Sequence, residues 1–342
     1  MKTSTTLFLA VVLSVFGFYY FLGEKTVPHS AAGLGPARIL VLEEGDSIKR
    51  LHLFNRNAQE KFSLARLDSG WAFVSPVSYP AEHFLVEGMI QALLFSQRLR
   101  RFDSGGKEAP EEFGFASPEI KLGFETQKSP ARRTLVIGKE SPMGIGIYAR
   151  WEGEKEYFLI PREVKAALER TLYSLRQKRL FRLNWDDVAW IRAHVEKQEF
   201  QIQKSGESWR WVLPEPKKEI PVEKVSELIY AFQSLYVKEF LDGAPVQKKE
   251  FGFEGKHNFL EVGGREKIER LELGGSVKGK DSIYAFRKGE NLVLLVSGKN
   301  LKTLLETFDV TFHETENAGN GKSENGPGKN PQGVPAGGEK SV

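Results

Sequence analysis

Phe62 to Pro76 read FSLARLDSGWAFVSP and Phe200 to Pro214 read FQIQKSGESWRWVLP, so Phe62, Trp71 and Pro76 fall on Phe200, Trp209 and Pro214 at an offset of 138. The same offset carries Phe102 onto Phe240, and EFGF at Glu112 to Phe115 onto EFGF at Glu250 to Phe253. Further along, Gly138, Tyr148 and Leu168 meet Gly274, Tyr284 and Leu304 at an offset of 136. Collinear matches with small slips mean an internal duplication, and a repeat decides the fold before any single motif does. The copies cover residues 38–180 and 181–310, each the size of a small domain. Trp71 should then lie over Trp209, Phe113 over Phe251 and Tyr148 over Tyr284.

Each copy carries the same coarse pattern. Ile48 to Phe54 and Phe62 to Leu67 alternate apolar and polar residues, and the turn Asp68-Ser69-Gly70 leads into Trp71 to Val74, which predicts an antiparallel meander. Pro80 stands where a helix should begin, followed by Val86, Met89, Ile90, Leu93 and Leu94 at helical spacing. Val225, Leu228, Ile229 and Phe232 repeat that stripe. Ile120 to Phe124, Thr134 to Ile137, Ile145 to Trp151 and Tyr157 to Ile160 read as four further strands. A closing helix carries Val164, Ala167, Leu168, Thr171, Leu172 and Leu175 on one face, and its counterpart carries Leu301, Leu304, Leu305 and Phe308. Strands outnumber helices and never alternate singly with them, which excludes a doubly wound nucleotide fold. The expectation is an α+β chain of two tandem repeats, each a largely antiparallel sheet with two helices, behind one N-terminal transmembrane helix. The phenylalanines of both EFGF turns should be mostly buried, pinning each turn into its core.

The chain has 342 residues and is 40% hydrophobic, enough apolar content for sizeable cores, so wholly disordered classes are excluded. Lysine and arginine total 49 against 45 acidic residues, a surplus too small to argue for nucleic acid as a partner. Cysteine is absent, which removes disulfides, thiol nucleophiles and thiolate metal sites. Leu7 to Leu22 (LFLAVVLSVFGFYYFL) are uncharged and mostly apolar, and Thr3 to Thr6 extend them to the roughly 20 residues that span a bilayer. A cleaved signal would have a shorter core and a nearby small-x-small site, but Ser30 to Ala32 lie beyond Glu24 and Lys25. Residues 1–25 are therefore read as an uncleaved anchor in the inner-membrane lipid bilayer. Lys2 and the amino terminus stay cytoplasmic, and the bulk is extracytoplasmic, on the periplasmic side in a Gram-negative cell. His313 to Val342 lack apolar periodicity, so residues 311–342 read as a disordered tail. Within it Gly321-Lys322-Ser323 imitate the end of a phosphate-binding loop, but the required first glycine is Glu316.

Little else carries chemistry. The six histidines have no i, i+4 pair to hold a metal, and no GxSxG elbow exists. His83 and Glu87 could meet as an exposed helical pair. Asp186 and Asp187 read as a solvated helix start. Arg98, Arg100 and Arg101, and Arg176, Lys178, Arg179 and Arg182, read as cations complementing helix C-termini. Trp71 with Phe73, and Trp209 with Trp211, could stack sugars, although their repeated place on a strand favours a core role. No catalytic, metal or cofactor-binding residue is assigned. The loop Ser141 to Tyr148 holds more glycine than a simple turn needs. It reads either as a bulged turn or as a surface that meets a partner through Met143, Gly144, Gly146 and Tyr148. The second copy places Asp281 and Ser282 where the first has Ile145 and Gly146, so only the first copy should bind there.

GWAFVSPVSYPAEHFLVEGMIQAL from Gly70, EFGFASPEIKL from Glu112, LVIGKESPMGIGIYARW from Leu135 and LRQKRLFRLNWDDVAWI from Leu175 resemble the domain-of-unknown-function family numbered 4340, over nearly all of Ile39 to Phe308. The resemblance implies a membrane-anchored, extracytoplasmic α+β protein whose relatives are often associated with an ABC-2-type exporter and a gliding-motility-type auxiliary subunit. It implies no established reaction. The function expected is an accessory or scaffolding subunit of an envelope ABC-type transport system. It would act by protein–protein binding to the permease or auxiliary subunit. The alternatives are a cell-wall glycan-binding module using Trp71 and Trp209, and an uncharacterised hydrolase.

Overall fold

The computed structural model describes residues 37–320 apart from 103–110, 216–218, 247–248 and 255–256. The apolar run Leu7–Leu22 and residues 321–342 lie outside the described residues. Among the described residues no helix is long and apolar enough to cross a membrane.

The first copy runs β1 (Ile48–Asn55), β2 (Glu60–Leu67), β3 (Gly70–Ser75), β4 (Tyr79–Pro80), α1 (His83–Phe95), β5 (Arg100–Phe102), a 3-10 turn (Glu111–Phe113), β6 (Ile120–Thr126), β7 (Arg133–Glu140), β8 (Ile147–Trp151), β9 (Tyr157–Ile160), α2 (Arg162–Leu168) and α3 (Leu172–Leu175). The second, after a 3-10 turn at Trp185–Asp187, runs β10 (Trp190–Val195), β11 (Gln198–Ser205), β12 (Ser208–Leu213), β13 (Glu219–Ile220), α4 (Val222–Gln233), β14 (Val237–Leu241), a 3-10 turn (Lys249–Phe251), β15 (Phe259–Gly263), β16 (Ile268–Ser276), β17 (Ile283–Arg287), β18 (Val293–Val296) and α5 (Gly298–Asn320). The strand orders are β4-β3-β2-β1-β6-β7-β8-β9-β5 and β13-β12-β11-β10-β15-β16-β17-β18-β14. Adding nine to each strand number of the first gives the second, so the duplication seen in the sequence is a duplication of topology. By compactness the described chain divides into one unit of residues up to Trp71 with His83–Thr171, and a second of Ala72–Glu82 with Leu172 onward.

Alternation explains the strands. In β1 the side chains of Ile48, Leu51 and Leu53 are buried while His52 and Phe54 point to the other face, and β10 buries Ile191, Ala193 and Val195 in the same way. Registers agree: Leu53 faces Phe62 and Leu122, and Ala193 faces Phe200 and Leu260. Trp71 and Trp209 are each the second residue of their strand, as are Tyr148 and Tyr284, and Phe113 and Phe251 each end a 3-10 turn. Val86, Met89, Ile90 and Leu93 form the buried stripe of α1, and Val225, Leu228, Ala231 and Phe232 that of α4.

The EFGF turns are built alike. Gly114 and Gly252 have φ of +83° and +69°, which side-chain-bearing residues rarely adopt. The carbonyl oxygens of Phe113 and Phe251 approach Gly138 and Gly274 so closely that a Cβ at either glycine would overlap them. Phe115 and Phe251 are buried and Phe113 and Phe253 largely so, as the sequence predicts.

Four sequence expectations are corrected. Pro80 does not start a helix; it pairs with Ala72 in β4 and its carbonyl accepts the Gln177 N–H (3.0 Å), and α1 begins at His83. The first closing helix breaks between α2 and α3 because the buried Asn55 amide donates to the Arg170 carbonyl (3.1 Å), drawing it away from the helix axis. Residues 311–320 are not tail, since α5 continues to Asn320 with Thr311 and Thr315 buried and Phe312 against Trp211 (5.3 Å). Of the cations read as complementing helix ends, Lys178 does so, its Nζ donating to the Ser174 carbonyl at the end of α3 (3.0 Å), whereas the arginines find other partners. Arg98 and Arg101 both hold Glu156. Within the second unit Arg176 is fully buried, donating to both carboxylate oxygens of Asp242 (2.7 and 2.9 Å) beneath Phe240 (4.4 Å).

A methyl at Gly138 cannot be accommodated without moving backbone, so Gly138→Ala should destabilise by about 3 kcal/mol or more in a urea titration. Gly88 in α1 has open space around its missing Cβ, and Gly88→Ala should stabilise by about 0.5 to 1 kcal/mol in the same measurement. Asp242→Ala leaves a buried guanidinium unpaired and should cost about 3 kcal/mol, with much of that recovered in Arg176→Met/Asp242→Leu.

Candidate functional site

The loop between β7 and β8 is a rigid hairpin end. The Ser141 N–H donates to the Gly146 carbonyl (2.8 Å), the Gly144 N–H to the Ser141 carbonyl (2.8 Å), and Ser141 Oγ accepts the N–H groups of Ile145 (3.0 Å) and Gly146 (3.3 Å). Gly144 has φ of +66°, and a Cβ on Gly146 would stand 2.7 Å from the Ile160 carbonyl oxygen. The turn itself therefore requires both glycines. Met143 and Ile145 are left at the surface, 77% and 49% exposed. Tyr148 belongs elsewhere: its ring packs on Phe113 (4.3 Å), Phe102 (6.3 Å) and Tyr157 (6.5 Å). The four residues singled out in the sequence thus divide into one exposed side chain, two backbone hinges and one member of an aromatic cluster. In the second copy the Val277 N–H closes an equivalent turn onto the Ser282 carbonyl (2.8 Å), with Gly279 in place of Met143, Asp281 in place of Ile145, and Lys278 and Lys280 exposed beside them.

The tryptophans offer no platform for sugar. Trp71, Trp209 and Trp211 are buried, and the Trp71 indole N–H donates to Glu87 (2.7 Å) beneath the Arg66 guanidinium. Glu87 is thereby held by Arg66 and Trp71, and His83 instead stacks edge-on with Phe84. Asn184 Oδ1 accepts the Asp186 N–H (3.4 Å), leaving Asp186 and Asp187 in solvent as a helix start.

One constellation escaped the sequence. His52 Nδ1 lies 2.8 Å from Ser63 Oγ, and His52 Nε2 lies 3.0 Å from Glu125 Oε1. An ionised carboxylate only accepts, so Nε2 carries the proton and Nδ1 accepts the Ser63 hydroxyl. The donor and acceptor order is that of a serine–histidine–carboxylate relay, with the two ring nitrogens exchanged. Burial pushes the His52 imidazole below its ordinary value, against the opposing pull of Glu125, so the ring is neutral and able to take a proton at pH 7. Arg50 (3.8 Å) and Arg132 (3.9 Å) hold Glu125, and the Arg132 side chain fills the space over Gly123, directly across from His52. A shallow depression of about 370 Å³ lies beside it, lined by His52, Lys61, Lys121, Arg132, Thr134 and Glu152. Backbone N–H groups of these strands are committed to the ladder, which leaves Arg132 and the lysines as the groups able to face a developing oxyanion. These residues lie 11 and 73 positions apart, and strand pairing alone joins them. The readable signal was the β1–β2 hairpin, whose register sets His52 across from Ser63. Among the described residues no group of histidine, aspartate and glutamate could hold a metal ion.

A domain of unknown function, DUF4340, matches residues 71–241 and again 211–315. The chain belongs to the DUF4340 family. The first range contains the EFGF turn at Glu112 to Phe115 and the second that at Glu250 to Phe253, and each begins after the first two strands of its copy. No curated protein and no solved structure matches the chain.

His52 supplies a pH test. Its folded value lies below the unfolded value of about 6.5, so the unfolded chain takes up the proton first and stability falls as pH drops through 6.5 toward the folded value. Wild type should lose more of its melting temperature between pH 7 and 5 than His52→Gln does.

Proposed function

We propose that this DUF4340 chain is an extracytoplasmic accessory subunit of an envelope ABC-type transport system. It is held to the membrane by Leu7–Leu22 and acts by binding a permease or auxiliary subunit. The observation that carries the reading is an exposed aromatic surface on the second unit. Tyr173 and Tyr236 are both exposed side by side, with the Tyr173 hydroxyl donating to the Val237 carbonyl (3.3 Å) and Lys178 over its ring (4.7 Å). Tyr230 and Val222 stand out of α4 on the same unit. Tyrosines fixed at one end and open at the other are the side chains that dominate protein interfaces. The duplicated sheets supply a stiff base, and the apolar N-terminal run supports a tether that raises the effective concentration of weak contacts.

The Ser63–His52–Glu125 relay favours a second reading, hydrolysis of an ester or amide. Labelling of Ser63 by a fluorophosphonate, lost in His52→Gln, would put that reading first. For the binding role, a photo-crosslinking residue at Tyr236 in living cells should capture a transport subunit. Recovery of glycan fragments alone would favour the glycan-binding alternative, despite the buried tryptophans.

A further inference from the structure

The described chain begins at Ala37, and its first contacts are specific. The Ala37 carbonyl accepts the Arg98 N–H (2.8 Å), the Ile39 N–H donates to Ser96 (3.0 Å), and Arg38 forms a bridge with Gln97. The apolar run Leu7–Leu22 ends fifteen positions earlier, a stretch that can span no more than about 50 Å. The chain therefore reaches the first unit beside residues 95–99. Several large apolar side chains are exposed there. Phe95 is 68% and Leu99 50% exposed, and Leu99 Cδ1 lies 3.0 Å from where a Cβ of Gly146 would stand, next to Ile145 and Met143. Leu99, Ile145 and Met143 thus form one ridge on the segment after α1 and the rigid β7–β8 hairpin, with Phe95 four residues before Leu99 at the end of α1.

Charge accompanies the ridge. Arg38 lies over the Phe95 ring (5.9 Å) and Arg100 over Phe102 (5.0 Å), both exposed and neither in an ion pair among the described residues. Arg162 flanks the hairpin and is held by Glu140. Apolar side chains at the tip with unpaired cations behind them are what a lipid interface with anionic headgroups receives. The second copy, which has no such segment entering it, carries lysines and Asp281 at the equivalent turn.

We infer that this ridge rests on the bilayer surface, with Met143, Ile145, Leu99 and Phe95 entering the interface and Arg38 and Arg100 meeting anionic headgroups. The inference rests on the anchored reading above and adds an orientation: the first unit faces the membrane through its β7–β8 end. It accounts for exposed Met143 and Ile145 without requiring a protein partner at the loop.

The full chain contains no cysteine, so Met143→Cys takes a single environment-sensitive dye. In vesicles containing phosphatidylglycerol, emission from position 143 should shift to the blue and be quenched by brominated lipid. The same dye at Phe84, 83% exposed at the far end of α1, should remain in water. With the dye at Phe95→Cys, Met143→Glu/Ile145→Glu should abolish the shift while the melting temperature holds. Vesicles of phosphatidylcholine alone should give a smaller shift; an equal one would overturn the role of the arginines. Aqueous emission at 143 from a chain that resists carbonate extraction would overturn the ridge and leave the anchor standing. Release of the chain by carbonate would overturn the anchor and the inference with it. Crosslinking from Ile145 to a protein rather than to lipid would also overturn it.

Discussion

In each sheet a phenylalanine carbonyl is pressed against a glycine of a neighbouring strand, Phe113 on Gly138 and Phe251 on Gly274, and much of the molecule depends on that approach. It holds a 3-10 turn over the strand and sets the aromatic rings in place, with Phe113 on Tyr148 and Phe251 on Tyr284. It also disturbs the ladder. The β7–β8 register slips between Ile137 and Glu140, and the β16–β17 register between Leu273 and Ser276, at the glycine in both cases. An irregularity of this kind bends a strand and re-aims the segment beyond it. Beyond β7 lies the Ser141–Gly146 hairpin, so the direction in which Met143 and Ile145 project is set by a contact at Gly138.

Sequence reading recovered the features that are periodic or repeated. The offsets of 138 and 136 identified corresponding strands, and the stripe Val86, Met89, Ile90, Leu93 identified a helix, because burial of one face imposes a period that survives in the residues. It failed where a tertiary partner overrides local pattern. Nothing near Arg170 announces that Asn55 will take its carbonyl, and Thr311 and Thr315 conceal their burial because threonine is ambiguous between core and surface. The two EFGF turns bury opposite members most deeply, Phe115 in the first and Phe251 in the second, a difference that the shared motif does not signal.

The functional residues were less legible still, since the duplication preserves inward faces and leaves outward faces free to differ. Leu53 with Phe62 in the first copy corresponds to Ala193 with Phe200 in the second, and both pairs are buried. One residue earlier in each strand, His52 faces Ser63 and Gly123, whereas Arg192 faces Gln201 and Glu261 and pairs with Glu199. A relay exists on one copy and an ordinary ion pair on the other. No periodicity signals such a difference, because an exposed sheet face has no packing requirement to leave a trace.

The same freedom separates the two hairpins after β7 and β16. Both close with equivalent backbone bonds, so turn chemistry alone cannot explain why one exposes Met143 and Ile145 and the other lysines. Large apolar side chains held at the tip of a rigid turn gain nothing for the fold that displays them; each would lower the free energy by leaving water. In the anchored reading proposed above, the first unit is where the chain arrives from its apolar N-terminal run, and a tether there converts association into an intramolecular step. The copies share a topology and differ in their outward residues, and exposed Met143 and Ile145 belong to the first alone.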